Sequence, residues 1–302
     1  MSLDYWRKRF EQTPYVRRLG CEVNEIESDR VRLSLPYLEL NTNPGRALHG
    51  GVNASMIAFA GSLAAETGLD ASADLEAGVI DLSVVYLAAA IGEDIHAEGR
   101  VLRRGREIVF CEASVTNDQG RELARGLVTY RSVPRAQAER AAAEDPDPAR
   151  IELESFIEGE MDPGAMGRAL GRAPFIGSLM EVEHMGAGRA RLAMDPAAEV
   201  LDAEGSHHAG ALAALLDTAG ALGSWSLVPL GAHKAMTPGI QISYAAPSKG
   251  ERVVALSRNL RKHAEAFSNR VDLVGEKTGR LIAQGLLSYR IVVGEKLPDP
   301  KG

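Results

Sequence analysis

The chain has 302 residues, a formal net charge of −7, and a composition that is 45% hydrophobic and 25% charged. That length suits two domains of ordinary size or one large domain, with enough apolar residues for a core. The negative charge argues against a nucleic-acid-binding surface, which needs a basic face. Two cysteines are too few for a zinc cluster or a disulfide framework.

The beginning of the chain has no apolar run of the kind found in signal peptides. No stretch approaches the roughly 18 uninterrupted apolar residues that a membrane-spanning helix requires. We therefore expect a soluble cytoplasmic protein that binds neither nucleic acid nor membrane.

The first half of the chain is predicted to contain two helices and a series of strands. Residues 4–19 have the pattern of one amphipathic helix, and residues 23–35 that of two short strands. A loop with Pro36 and Pro44 then leads to a small-residue apolar segment from Gly50 to about Thr67, which predicts a buried helix. Three strand-like runs follow, at 78–91, 94–116 and 121–133, and the second is interrupted near Gly105.

Residues 134–150 are charged and alanine-rich and are then broken by prolines. This composition is typical of a linker, with room for one short exposed helix. We therefore predict a first domain over residues 1–135, a linker over 136–150, and a second domain over 151–302.

The pattern of the first half returns in the second. The offset between matching positions stays between 157 and 160 for Pro14 and Pro174, His49 and His208, Tyr86 and Tyr244, Phe110 and Phe267, and Tyr130 and Tyr289. So small a drift indicates an internal duplication. One helix and five or so antiparallel strands per half give an α+β fold. Two halves side by side can join their sheet edges, which predicts a fused pseudo-dimer.

A polar loop precedes His49-Gly50-Gly51, which lies at the start of the predicted helix. The strands after this helix end in Gly-Arg-x-x-Ala-x-Gly. This combination resembles the hotdog-fold acyl-CoA thioesterases, more narrowly the phenylacetate-pathway type. The resemblance covers residues 14–133 and 172–292. It implies two tandem hotdog domains, each a long central helix wrapped by an antiparallel sheet. It also implies hydrolysis of an acyl-CoA thioester without a cofactor, coenzyme A being part of the substrate.

In that family each site lies between two hotdog units. One unit supplies a loop asparagine, the histidine and the N–H of the following glycine, which here are Asn43, His49 and Gly50. The other supplies an acid nine residues past its own histidine and a hydroxyl farther on. The second half has these as Asp217 and Thr237.

The two halves depart from the family pattern in complementary ways. Nine residues past His49 stands Ala58, so the first half has no acid. The second half has Asp202 for the loop asparagine and Ala209 for the first glycine. One complete site, shared between the halves, is therefore expected. Nine helical residues span about 13.5 Å, so a histidine and an acid that far apart need two adjacent helices to meet.

Each of these residues has a chemical role and a structural alternative. The N–H of Gly50 can polarise the thioester carbonyl, or the glycine can simply allow tight packing. Asp217 can act as general base or as nucleophile, or lie on a polar helix edge. Thr237 can orient the water or shape a turn, and Asn43 can bind the water or form an Asx-turn. We expect a neutral His49 that orients the loop, contacts the thioester or is purely structural.

Further substrate-binding candidates are Gly51, His208, Arg103, Arg104, Arg261 and Lys262. The two basic runs match each other across the repeat and could hold the phosphates of coenzyme A, although solvated hairpins are the alternative. The remaining histidines have no metal-ligand spacing, so we expect no metal site.

Two other functions remain open. The chain could be a non-catalytic acyl-CoA binder or sensor, because the repeat has lost site residues. It could also be a hotdog enoyl-thioester hydratase or dehydratase, although the buried histidine–acid pair of those enzymes is not recognisable in the sequence. The sequence leaves open the acyl group of the substrate and whether the double-hotdog chain assembles into a homo-oligomer.

Overall fold

The computed structural model describes residues 3–44, 46–144, 149–153, 155–157, 159–229, 231 and 233–294. The first half contains the elements α1 (Leu3–Gln12), α2 (Pro14–Leu19), β1 (Glu22–Glu27), β2 (Arg30–Leu35), α3 (Gly50–Glu66), β3 (Leu75–Tyr86), β4 (Ile95–Arg104), β5 (Ile108–Asn117) and β6 (Glu122–Pro134). After α4 (Arg135–Glu144), the second half contains α5 (Gly164–Leu170), α6 (Pro174–Leu179), β7 (Glu181–Gly186), β8 (Arg189–Met194), α7 (Ala209–Trp225), β9 (Lys234–Tyr244), β10 (Val253–His263), β11 (Ala266–Gly275) and β12 (Leu281–Val292).

The sequence predicts one helix over residues 4–19, and this prediction is wrong, because the structure has two helices there. The break falls at Thr13, whose ψ of 123° is extended. Pro14 follows it, and a proline disfavours the helical conformation of the residue before it. Pro14 itself fits the first position of α2, where its missing N–H has no role.

The twelve strands form one continuous antiparallel sheet in the order β1-β2-β4-β5-β6-β3-β9-β12-β11-β10-β8-β7. Each half therefore contributes six strands, and the halves join where β3 pairs with β9. At this seam Val84 lies opposite Ile240 and Asp81 opposite Ser243. The Ser243 hydroxyl also donates to the Asp81 carboxylate at 2.8 Å. The predicted α+β architecture of two hotdog units paired as a pseudo-dimer is confirmed.

The central helices α3 and α7 pack against each other on one face of this sheet. Both are apolar on all sides and are buried along nearly their whole length. Gly51 lies against Ala214 while Gly210 lies against Ser55, so the helices run antiparallel. A side chain at Gly51 would come within 2.6 Å of the Ala214 α-carbon, so only glycine permits this approach.

The predicted linker is partly helical. Its helix α4 begins at Arg135, which pairs with Asp74 at 2.8 Å, and residues 145–148 of the linker lie outside the described residues. Farther on, Ile151 donates its N–H to the Gly279 carbonyl. Phe156 then packs into a small apolar cluster with residues of β8, β10 and β11. This stretch therefore packs against the second half.

Within the described part of the chain, no helix is long and apolar enough to cross a membrane. No group of three or more His, Cys, Asp or Glu side chains in the described ranges has the arrangement of a metal site.

Candidate active site

The start of α3 is shaped by His49, which caps it. The Nδ1 atom of His49 accepts a hydrogen bond from the Gly51 N–H at 2.9 Å. An accepting Nδ1 assigns the ring proton to Nε2, which lies 3.3 Å from the Thr218 hydroxyl oxygen. That hydroxyl in turn donates to the Ala214 carbonyl at 2.7 Å. Both ring nitrogens therefore have partners inside the protein.

The environment of His49 keeps its imidazole neutral. The ring is buried and stacks on Phe175 with 4.5 Å between the ring centroids. Burial lowers the pKa of His49 to about 3. The 3.9 Å between His49 Nδ1 and Asp217 Oδ2 is therefore no ion pair at neutral pH.

Gly50 is the first residue of α3, and the positive end of the helix dipole lies there. Its N–H has no acceptor among the residues that the structure describes. An N–H in this position is one of the unpaired donors that every helix start leaves. It can therefore donate to an oxygen atom of a ligand.

Asp217 lies in the middle of α7 and is buried. Its Oδ1 atom accepts a hydrogen bond from the Thr237 hydroxyl at 2.8 Å. Burial raises the pKa of Asp217 to about 6, and hydrogen bonds from Thr237 and from the Gly51 backbone partly offset that increase. The carboxyl group thus changes charge close to neutral pH.

The acid of the second half meets the helix start of the first half. A β-carbon built on Gly50 would lie 2.6 Å from Asp217 Oδ2, so the carboxylate lies directly against the Gly50 α-carbon. The antiparallel crossing of α3 and α7 produces this contact. The structure therefore brings together His49, Gly50, Asp217 and Thr237, four of the five predicted catalytic residues.

The start of α7 in the second half keeps the histidine cap but lacks the polar groups of the first site. His208 caps α7 by accepting the Gly210 N–H at 3.0 Å, and burial lowers its pKa to about 4. Its ring, however, packs on the edge of Phe59 at 5.0 Å. Repeat positions place Ala58, Phe59, Val79 and Ala209 where the first site has Asp217, Thr218, Thr237 and Gly50.

Two predicted loop residues differ in their contacts. The backbone N–H of Asn43 donates to the Ala47 carbonyl at 2.8 Å, while its side-chain amide has no hydrogen bond with any described residue. Asp202, at the matching position, accepts the N–H groups of Glu204 and Ser206 at 2.9 Å each. The Asp202 carboxylate is thus used inside its own loop.

Gly51 was predicted to bind substrate, but the geometry gives it another role. Its α-carbon faces Ala214 at the helix crossing, and its N–H is held by His49. It therefore contributes close packing between the halves.

Two of the four basic residues predicted to hold phosphates donate to backbone carbonyls at the end of α3 and in the turn after α7. Arg104 donates to the Ala65 carbonyl at 2.9 Å and pairs with Asp29, and Lys262 donates to the Leu227 carbonyl at 2.9 Å. Cations are favoured beside the unpaired carbonyls where a helix ends. Arg103 and Arg261 are exposed. Phosphate binding by this group stays a prediction.

Residue spacing did not indicate Thr218 or Phe175 as site residues. Thr218 follows Asp217 directly, and Phe175 follows the repeat anchor Pro174. Both contact the His49 ring. Their counterparts Phe59 and Tyr15 surround His208, so a comparison of the repeats around each histidine would have found them.

The model of the family described as the thioesterase superfamily matches residues 45–124, which contain the His49 helix start. A protein of Saccharolobus solfataricus named "Putative esterase" is 30% identical over 112 residues, which are 37% of this chain and 78% of that protein. The chain belongs to the thioesterase superfamily. A second superfamily relative, a "Putative esterase" of Halobacterium salinarum, is 38% identical over 100 residues, 32% of this chain and 66% of the relative.

A solved structure extends the likeness to nearly the whole chain. It is a conserved protein with a hot dog fold from Alicyclobacillus acidocaldarius, and the two superpose with a TM-score of 0.62. The match covers 95% of this chain and 98% of that one at 14% sequence identity. Identity this low supports the hotdog fold alone, and it does so across both halves.

Proposed function

We propose that this member of the thioesterase superfamily is an acyl-CoA thioesterase with one competent site, shared between its two halves. The contact of Asp217 Oδ2 with Gly50 carries the proposal, because it joins a buried base to an unpaired backbone donor. The names of the esterase relatives support hydrolysis, and the resemblance to acyl-CoA thioesterases supplies the substrate class.

In the proposed mechanism the Gly50 N–H donates to the thioester carbonyl oxygen. Asp217 takes a proton from a water molecule, whose oxygen bonds to the carbonyl carbon while the carbonyl electron pair moves onto oxygen. The electron pair on that oxygen then re-forms the carbonyl as the C–S bond breaks, and the proton passes from Asp217 to the leaving thiolate. A backbone donor of this kind contributes about 3–4 kcal/mol to the transition state.

The pKa of Asp217 suits the role of general base. A general base works best when its pKa lies near the working pH. Burial raises the pKa of Asp217 to about 6, so the group is ionised at neutral pH and still basic enough to accept a proton. Thr237 holds Oδ1, which leaves Oδ2 beside Gly50 for the water.

One observation favours the enoyl-thioester hydratase alternative: His49 Nδ1 lies 3.9 Å from Asp217 Oδ2. A hydratase histidine must exchange a proton with the substrate or water. The two nitrogens of His49 are instead engaged by Gly51 and Thr218. Hydrolysis therefore remains the better supported reaction, with His49 as a positioning residue.

One turnover assay tests the function class. The purified protein is mixed with acetyl-, hexanoyl-, palmitoyl-, benzoyl- and phenylacetyl-CoA, and released thiol is followed with a colorimetric reagent. We expect catalytic release of free coenzyme A from at least one of them. Binding of a thioester without turnover would favour the binder alternative, and loss of the double bond of a 2-enoyl-CoA would favour the hydratase.

A further inference from the structure

The hydroxyl of Tyr86, at the end of β3, is a buried hydrogen-bond donor that has no role in the proposed hydrolysis. Tyr86 is 9% exposed, and its Oη atom has no hydrogen-bond partner within the described residues. Nearly all buried polar groups are paired, so one that is not calls for an explanation. Burial, together with the nearby Asp217 carboxylate, holds the pKa of Tyr86 well above its ordinary value. The hydroxyl therefore keeps its proton and can donate it.

The sheet register places Tyr86 beside the proposed site. Val85 lies opposite Gly239 across the seam between β3 and β9. Tyr86 and Pro238 are the next residues along the two strands, and Thr237 is the neighbour of Pro238. Thr237 is the residue that donates to Asp217. The Asp217 carboxylate is one of the charges that raise the pKa of Tyr86, so Tyr86 lies near the acid.

The repeat shows how far a tyrosine in this position reaches. Tyr244 is the counterpart of Tyr86, and its hydroxyl donates to the Ala209 carbonyl at 2.8 Å. Ala209 is the first residue of α7 and stands where Gly50 stands in α3. A tyrosine here can therefore reach the first residue of the central helix. In the half that retains Gly50, the same hydroxyl is left unpaired.

We infer that Tyr86 is a further catalytic residue, whose hydroxyl donates a hydrogen bond to the thioester carbonyl oxygen beside the Gly50 N–H. This inference rests on the proposed function. Two donors on one oxygen stabilise the negative charge that develops there when water adds. Tyr86 is buried before the substrate arrives, so its side chain loses little freedom when the substrate binds.

The matched variants Tyr86→Phe and Tyr244→Phe test the assignment, since each removes one hydroxyl from equivalent positions of the repeat. We expect Tyr86→Phe to lower kcat by about 10²-fold with little change in KM. Its Tm should stay the same or rise, because an unpaired buried hydroxyl is removed. Tyr244→Phe should keep kcat and lower the Tm by about 2–4 °C, because it loses an internal hydrogen bond.

A kcat of Tyr86→Phe within threefold of the wild type would overturn the assignment. A loss of kcat accompanied by a fall in Tm as large as that of Tyr244→Phe would do the same, since it would indicate a structural role.

A second measurement separates this inference from the proposed hydrolysis. The panel acyl-CoA that binds most tightly, labelled with ¹³C at the thioester carbonyl, is bound to Asp217→Asn and to the double variant Asp217→Asn/Tyr86→Phe. We expect the infrared carbonyl stretch to lie at lower frequency in the single variant, because Tyr86 donates to that oxygen. Equal frequencies would contradict the inference. A difference in frequency with no wild-type turnover would reject the hydrolysis alone.

Discussion

The reactivity of the proposed site depends on the charge of a single buried carboxyl group. Burial raises the pKa of Asp217 to about 6. The base must be ionised, so hydrolysis is lost as the pH falls through that value. His49 stays neutral because its pKa is lowered to about 3. It therefore adds no second ionisation near neutral pH.

The pH dependence of kcat/KM tests this electrostatic account. We expect a rise of about tenfold per pH unit below about pH 6 and a plateau from pH 7 to pH 9, because one carboxylate must be deprotonated. The profile is measured with the best panel substrate at constant ionic strength. A bell-shaped profile that falls again near neutral pH would indicate a protonated histidine in the reaction and contradict the assignment.

Gly50 has two functions: its N–H has no acceptor among the described residues, and its missing β-carbon makes room for Asp217. The substitution Gly50→Ala would place a methyl group 2.6 Å from Asp217 Oδ2. We expect kcat to fall by at least 10²-fold, because the carboxylate must move away from the oxyanion donor. Steady-state kinetics on the same substrate measures the loss.

The repeat supplies the control for that substitution. Ala209 already occupies the equivalent first position of α7, so an alanine is compatible with this helix start. The reciprocal change Ala209→Gly should therefore leave kcat unaltered. If Gly50→Ala kept wild-type kcat, the close contact between Gly50 and Asp217 would have no catalytic importance.

At the scale of elements, the crossing of α3 and α7 determines how the two halves of the site meet. A β-carbon at Gly51 would come within 2.4 Å of the Ala214 β-carbon, and neither atom can rotate away. At Gly210 the matching contact with Ser55 is looser, at 3.0 Å. The crossing is therefore tighter on the side where Asp217 meets Gly50.

The substitutions Gly51→Ala and Gly210→Ala test this difference. We expect Gly51→Ala to lower the free energy of unfolding by about 1–3 kcal/mol, because the helices must separate. Gly210→Ala should cost less, because Ser55, including its α-carbon at 3.0 Å, needs to move by only a few tenths of an ångström. Urea unfolding at fixed pH gives both values. Equal stability of the two variants would show that the crossing adapts without cost.

The sequence predicted the elements well where periodicity and the repeat agreed. The buried helix, the strands after it and the pairing of two halves all followed from such patterns. The break between α1 and α2 was missed, because the amphipathic pattern continues through Thr13 and Pro14. Pro14 was the signal that could have shown the break, because a proline disfavours the helical conformation of the residue before it. Only the extended ψ of Thr13 separates the two helices.

The candidate site could be predicted only in part. The histidine, glycine and acid followed from residue spacing and from the family resemblance. The contacts of Thr218 and Phe175 with His49 depend on how two distant segments pack, which spacing alone does not contain. Arg104 was predicted to bind phosphate because it belongs to a basic run. Its contacts with Asp29 and the Ala65 carbonyl depend instead on where α3 ends in the folded protein.

At the scale of the whole molecule, the duplication has produced two similar interfaces with different chemistry. One combines the helix start of the first half with Asp217, Thr218 and Thr237 of the second. The other retains the histidine cap but packs Phe59 against it, with Ala58 and Val79 where polar groups would be needed. One chain should therefore contain a single reactive site.

The variant Asp217→Asn, assayed beside Glu66→Gln, tests whether the chain has a single reactive site that depends on Asp217. Glu66 is a matched control, since burial also raises its pKa to about 6 and Tyr130 donates to it at 2.9 Å, yet it lies at the far end of α3. Hydrolysis of the best panel substrate should fall by about 10²–10⁴-fold in Asp217→Asn and stay near wild type in Glu66→Gln. If Asp217→Asn kept activity within threefold of the wild type, the shared site would be refuted.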